Sequence, residues 1–443
     1  MARLLALLAL IALFAAPPLA QAGIVSEEAT PVIFVHGQSG SAQQFETDAM
    51  RLTSNGFPKK RIFAYEYNTG VTSNDTAITE LDGFIADVKA ATGSDQVDVL
   101  AHSRGTTVMH SYLSTPERAA SVRRYVNFDG RTSDSPPGGV PTLAVWGEGD
   151  QTRAIGGAEN VYFPGKAHTE VTTSAEAFAD VHEFLIGRDP QTTKVVPEKP
   201  GKVTVKGRAL VFPDNVGIDG GTLRVFEVDG DTGQRLRGKP IHRQPIDAGG
   251  NFGPIKVNGR KHYEFEVVRA GESTIHNYPE PFERDDHLYR VLTAPVLNPS
   301  IERSPNHVSI AVTRMREFWG DEPVAKRNDR LAFDGFNVIN GAIAPRARRV
   351  LAVFNFDKNS DGISDTSSSL PPFSQIGFLT AVDNFMPSSP DADGSIAVDN
   401  EMRKPRGHEV TTNVSDWPSD QHTVSVYFKD YKAKAFKKKK GKR

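Results

Sequence analysis

The chain has 443 residues, too many for one compact core, so two or three domains are expected. A net charge of −2 with 24% charged residues is not the basic composition of a nucleic-acid binder, and no nucleic-acid partner is expected. There is no cysteine, which excludes disulfides, metal–thiolate sites and a thiol nucleophile.

Residues 1–22 read as a cleavable secretory signal peptide. Arg3 precedes an apolar run from Leu4 to Ala16, and Ala20-Gln21-Ala22 has the small-x-small form of a cleavage site. The run is shorter than the about 20 residues a membrane-spanning helix needs, so a secreted, extracellular protein is expected.

Residues 23–188 alternate short apolar strands with helical patterns, the sign of an α/β domain with a mostly parallel sheet and helices on both faces. Strands are predicted at Pro31–Val35, Arg61–Tyr67, Val97–Ala101, Arg124–Phe128, Pro141–Trp146 and Asn160–Phe163. Helices are predicted at Ala42–Ser54, Thr76–Ala91, Gly105–Leu113 and Ser174–Ile186, the last opened by Thr173 and Glu176 at capping-box spacing. Residues 189–201 are a proline-punctuated linker.

Beyond it the helical pattern gives way to short alternating runs, such as Val203–Val211, Thr222–Val228, His262–Val268 and Val350–Phe356, separated by Gly, Asp and Pro. This all-β region is expected to form two domains, 202–300 and 301–431, with a boundary near Pro299–Ser304. Residues 432–443 form a basic tail, expected to be disordered, with peripheral contact to lipid or anionic surfaces as its alternative role.

Chemistry concentrates in the α/β domain. The strand Val97–Ala101 runs into His102-Ser103-Arg104-Gly105 and then a helix. A nucleophilic serine on such a turn needs small flanking residues, here Ala101 and Gly105, and lies at a helix N-terminus that favours developing negative charge. His36-Gly37-Gln38 follows the first strand; the amides of Gln38 and Arg104 are the oxyanion donors by position. His168, between the last strand and the last helix, is placed as general base, and His36 reads as a brace for its loop. The orienting acid is Asp129 or Asp150, each at the carboxyl end of a strand. In the β region, Asp357, Asn359, Asp361 and Asp365 stand at positions 1, 3, 5 and 9 around Gly362, like oxygens of a calcium loop; position 12 is Ser368 and not the expected Glu, so a solvated turn is the alternative.

The stretches FVHGQSGSAQQFETDAMRLTSNGFP, VDVLAHSRGT, VNFDG, GVPTLAVWG and PGKAHTEVTTSAEAF resemble a secreted two-domain lipase/carboxylesterase family with a thermophilic archaeal member. The likeness continues through FPDNVGIDGGTLRVFEVD and WPSDQHTVSVYFKDY, covering essentially the mature chain. It implies an α/β-hydrolase fold with a C-terminal β region, and a serine ester hydrolase with Ser103 as nucleophile, His168 as base and no required cofactor. It also implies Asp129 as the acid. The expected ligand is a small-molecule or lipid ester. An acyltransferase using the same three residues, or a non-catalytic surface-binding protein, is the alternative. The archaeal member carries a helical lid after its second core strand. Here Tyr65–Asp75 passes almost directly into a helix, so no such lid is expected.

Overall fold

The computed structural model describes residues 25–293, 300–403 and 408–432. The expected signal peptide and all but the first residue of the basic tail lie outside them. Six strands, β1 (Val32–Val35), β2 (Ile62–Tyr65), β3 (Val97–His102), β4 (Val122–Phe128), β5 (Thr142–Trp146) and β6 (Glu159–Tyr162), form a parallel sheet in the order β2-β1-β3-β4-β5-β6. Five helices accompany them: α1 (Glu46–Ser54), α2 (Asp75–Thr92), α3 (Arg104–Tyr112), the short α4 (Pro116–Ala120) and α5 (Ala175–Ile186).

The layers follow from the two-residue period of a strand. Ile33, Val35, Val99 and Ala101 pack on α2 and α3 through Leu81, Ile85, Val108 and Met109. Their neighbours Val32, Phe34 and Leu100 face the other way, onto Phe45, Leu52, Phe178 and Val181 beside or on α1 and α5. The expected helix at Ala42–Ser54 begins as a 3₁₀ turn over Ala42–Phe45. The cap of α5 falls one residue later than expected: Ser174, not Thr173, accepts the Ala177 amide.

The rest of the chain is β. Its strands are β7 (Val203–Val211), β8 (Val216–Gly217), β9 (Thr222–Val228), β10 (His242–Pro245), β11 (Asn251–Val257), β12 (His262–Val268), β13 (Thr274–Pro279) and β14 (Asp286–Thr293). There follow β15 (Ile310–Phe318), β16 (Arg330–Phe333), β17 (Phe336–Asn337), β18 (Val350–Phe356), β19 (Leu379–Asp383), β20 (Ser395–Glu401), β21 (Glu409–Ser415) and β22 (His422–Phe428). One eight-stranded sheet, β10-β9-β12-β13-β22-β15-β18-β19, draws strands from both sides of Pro299–Ser304. β22 lies in its middle, parallel to both β13 and β15. The β11-β7-β14 sheet packs with one half of it, around Phe252, Phe265 and Tyr289. The β17-β16-β20-β21 sheet packs with the other, around Phe318, Phe333 and Phe428. Among the described residues no helix is long and apolar enough to cross a membrane.

The α/β domain and the β region are joined by buried charge. Just after β2, the enclosed Glu66 carboxylate takes Arg208 (2.6 Å) from β7 and Arg290 (2.7 Å) from β14. Burial would raise its pKa, but the two guanidiniums hold it below the ordinary value. The linker is strapped down rather than loose: Asn55 and Arg51 donate to the carbonyls of Thr192 and Thr193, and Arg284 to that of Val196.

At the same interface several buried carboxyls are protonated more easily than usual, Asp48, Glu280 and Asp430 among them. Burial pushes Asp48 up to about 7, Glu280 up to about 7 and Asp430 up to about 6. Thr47 on α1 donates to Asp430 (2.8 Å), and the Lys429 amide donates to Glu280 (2.9 Å). Because these folded values lie above the unfolded ones, their contribution is full below about pH 4 and is lost as pH rises through 7. Asp430→Asn keeps an acceptor for Thr47 without the charge. Its Tm relative to wild type should therefore rise between pH 5 and pH 8; an offset constant with pH would contradict the assignment.

Candidate active site

Ser103 sits between β3 and α3 with φ 51° and ψ −120°, a strained backbone for a residue with a side chain. The turn is possible because the backbones around it are bare. A Cβ on Gly105 would stand 2.6 Å from the carbonyl oxygens of both Val35 and His36, and one on Gly37 2.8 Å from His102 Nδ1. The Arg104 amide, at the first position of α3, has no intrahelical acceptor.

Three sequence-selected residues come together. Ser103 Oγ donates to His168 Nε2 (2.9 Å), and His168 Nδ1 donates to Asp129 Oδ2 (2.5 Å). Asp129 follows β4 at φ 42°, and its other oxygen accepts the Gly147 amide (2.8 Å) and pairs with Arg153 (2.9 Å). Burial alone would raise its pKa, but the bonds from His168 and Gly147 and the charge of Arg153 hold it below the usual carboxylate value. Gly130 is required beside it, since a Cβ there would collide with Thr106 Oγ1 at 2.1 Å. Asp150 is not part of this chain of bonds: it is exposed, and its Oδ1 is taken by the Thr152 amide and hydroxyl (2.8 and 2.7 Å).

Other groups the sequence did not point to complete the surroundings. Gln44 Nε2 donates to His102 Nδ1 (2.5 Å), and His102 Nε2 to the carbonyl of His168 (3.0 Å), so the histidine before Ser103 braces the loop of the one beyond it. Phe378, from the β region, stacks on the His168 ring with centroids 6.0 Å apart. His36, by contrast, braces its own loop as the sequence leads one to expect: it donates to the Gly37 carbonyl (2.9 Å) and stacks on Tyr67 (4.5 Å). Burial lowers its pKa to about 4, which keeps it neutral.

The side chains of Gln38 and Arg104 hold the short loop after β2. Gln38 donates to the Thr69 carbonyl (2.7 Å), while Arg104 donates to Gln38 (2.7 Å), Asn74 (2.9 Å) and the Ser73 carbonyl (3.1 Å). Pro213 in the β region fixes the same loop by accepting the Thr69 amide (3.0 Å). The segment where a lid would be inserted is thus pinned from two sides.

From Ser39 and Gln43 an apolar cavity extends into the β region. Its walls include Leu292 of β14, Ala311 and Met315 of β15, Ala352 and Phe354 of β18, and Phe378.

The calcium-like loop is separate. Asp357, Asp361 and Asp365 each turn one oxygen to a loop amide, of Gly362, Ile363 and Ser367. Among the described residues, the acid and imidazole atoms that gather within 4.8 Å as a trio are those of Glu264, Glu266 and His276. There Arg235 already occupies the place of a cation, bound by both oxygens of Glu264 (2.6 Å each) and by Glu266 (2.9 Å).

A parallel sheet whose central strand delivers a strained serine onto a helix defines an α/β-hydrolase. Residues 29–117 match the class 2 lipase family model, residues 201–296 the lipase C-terminal domain, and residues 296–432 a further C-terminal domain model. Two of these models describe lipase domains, and the chain is a carboxylic ester hydrolase. Among solved structures it is similar to lipase B of Aspergillus fumigatus, at 15% identity over 39% of this chain and 56% of that one (TM-score 0.31). It is also similar to a carboxylesterase of Nitrososphaera gargenis, at 13% identity over 36% and 91% (TM-score 0.30). A third is the monoglyceride lipase of Saccharomyces cerevisiae, at 12% identity over 37% and 87% (TM-score 0.29).

The crowding at Gly105 leads to a measurable cost. Backbone oxygens line both sides of the absent Cβ, so no flexible side chain can yield. Gly105→Ala should lose about 1–3 kcal/mol in urea unfolding, and a loss below a few tenths would mean that the turn has room to spare.

Proposed function

We propose that this protein is a secreted esterase or lipase that cleaves acyl esters through an acyl-enzyme on Ser103. The observation that carries the reading is the unbroken line of hydrogen bonds from Ser103 through His168 to Asp129. His168 takes the Ser103 proton as Oγ attacks the ester carbonyl, and the amides of Gln38 and Arg104 hold the oxyanion. His168 returns the proton to the leaving alcohol. It then activates water, which releases the acid and restores Ser103. Asp129 keeps the proton on Nδ1 and stabilises the imidazolium. These steps need no metal or cofactor. Export rests on the signal-like character of residues 1–22.

The acyl chain lies in the β-walled cavity, whose apolar lining begins beside the oxyanion loop and Phe378. The pinned loop after β2 leaves nothing in the α/β domain to open, so soluble esters are turned over without a jump in rate at an oil–water interface.

Ser103→Ala should lower kcat by about 10⁴- to 10⁶-fold while leaving the unfolding curve intact. Asp129→Asn should cost about 10⁴-fold, and Asp150→Asn should leave the rate nearly unchanged. A Ser103→Ala enzyme that retains a tenth of the wild-type rate overturns the mechanism; interchanged effects of the two aspartates move the acid to Asp150.

The cavity is tested by filling it. Ala352→Phe displaces the distal part of a long chain, and each methylene left in water forfeits about 0.8 kcal/mol. With four methylenes displaced, kcat/KM for a palmitate ester should fall roughly 200-fold, while acetate is cleaved as before. Equal losses on both esters would place the chain elsewhere.

A further inference from the structure

His168 lies in the loop between β6 and α5, followed at once by a tight turn over Glu170–Thr172. A loop of this kind holds an imidazole to the tolerance that proton transfer needs only when its backbone is tied down. The ties come from the far end of β15. Glu317, fully enclosed, accepts the Thr169 amide on Oε1 and the Glu170 amide on Oε2 (3.1 Å), although 148 and 147 residues separate it from them. Among the described residues no cation pairs directly with this carboxylate.

Glu317 is itself fixed through its carbonyl, which accepts from Arg314 (3.1 Å) and from Arg403. Asp329 locks those two guanidiniums, at 2.9 Å to Arg314 and 2.7 Å to Arg403. Arg403 also pairs with the Glu170 side chain (2.8 Å), as does Arg316 (3.1 Å). The loop behind His168 therefore rests on a buried charged frame contributed wholly by the β region.

We propose that Glu317 is the positioning residue for His168: its two carboxylate oxygens fix the consecutive peptides after the histidine and so set the imidazole between Ser103 and Asp129. This rests on the reading of His168 as general base. Burying a carboxyl group this completely is a costly way merely to stabilise a loop. Two oxygens on successive amides do what a single neutral acceptor does not, fixing the direction of the peptide plane as well as its place.

Glu317→Gln keeps the shape of the side chain but replaces one acceptor by an NH₂ group facing an amide. Its kcat on a soluble short-chain ester should fall at least thirtyfold with KM changed less than threefold. The rate of Ser103 labelling by an organophosphonate should fall by the same factor. Ser103→Ala in the same assay separates the two ideas. If it is inactive while Glu317→Gln matches wild type, the mechanism stands and the positioning role is overturned; if Ser103→Ala is active, the mechanism itself fails. Amide exchange in the wild-type protein gives a test that needs no variant to fold. The Thr169 and Glu170 amides should exchange as slowly as those of β15, and exchange at the rate of an open loop would overturn the proposal.

Discussion

Three stretches of backbone meet around Ser103, and each is bare where a side chain would obstruct it. Gly37 lies under His102, Gly105 sits on the carbonyls that end β1, and Gly130 lies against Thr106 of α3. This crowding lets a non-glycine residue hold φ 51° at the head of a helix, because the surrounding structure over-determines the turn. The positions of the other groups follow from it. Asp129 leaves β4 beside Gly130, and His168 reaches Asp129 and Ser103 from the loop between β6 and α5.

Much of this was legible in the sequence because its causes are local. The strand-turn-helix at Ser103 shows in an apolar run that ends in small residues, and the Asp129-Gly130 pair carries its reason in the collision with Thr106. The strands β7, β9, β12 and β18 were found with their observed ends because each alternates or is continuously apolar between Gly, Asp or Pro turns. β11 escaped notice because Gly253-Pro254 interrupts it, and β14 because the charged Asp286 and Arg290 sit within it. The choice between Asp129 and Asp150 could not be made from strand ends alone, since both lie at one. Gln44, Phe378 and Glu317 act on the site across 58 to 210 residues of chain, and no local pattern announces them. The division at Pro299–Ser304 marks a change of sequence rather than a gap between sheets, because β13 and β15 both pair with β22.

The β region does more than cover the site. It meets the α/β domain through Arg208 and Arg290 on Glu66, Pro213 on the Thr69 loop and Glu317 on the His168 loop. Each contact places a charge or a backbone group where water is excluded, and separating the two parts would strand it unpaired. The bonds to the linker add to this, so the two parts have little freedom to hinge. The cavity between them is a fixed slot whose width is set by strand packing.

The position of β22 ties this architecture to the order in which the chain is made. A polypeptide is synthesised from its N-terminus, yet residues 422–428 fill the centre of the eight-stranded sheet, not an edge. Until they arrive, β13 and β15 have no partner in common, and the strand that carries Glu317 is not joined to the strands before it. A chain broken off before His422 therefore leaves a sheet divided through its middle, with two open edges that other chains can pair with.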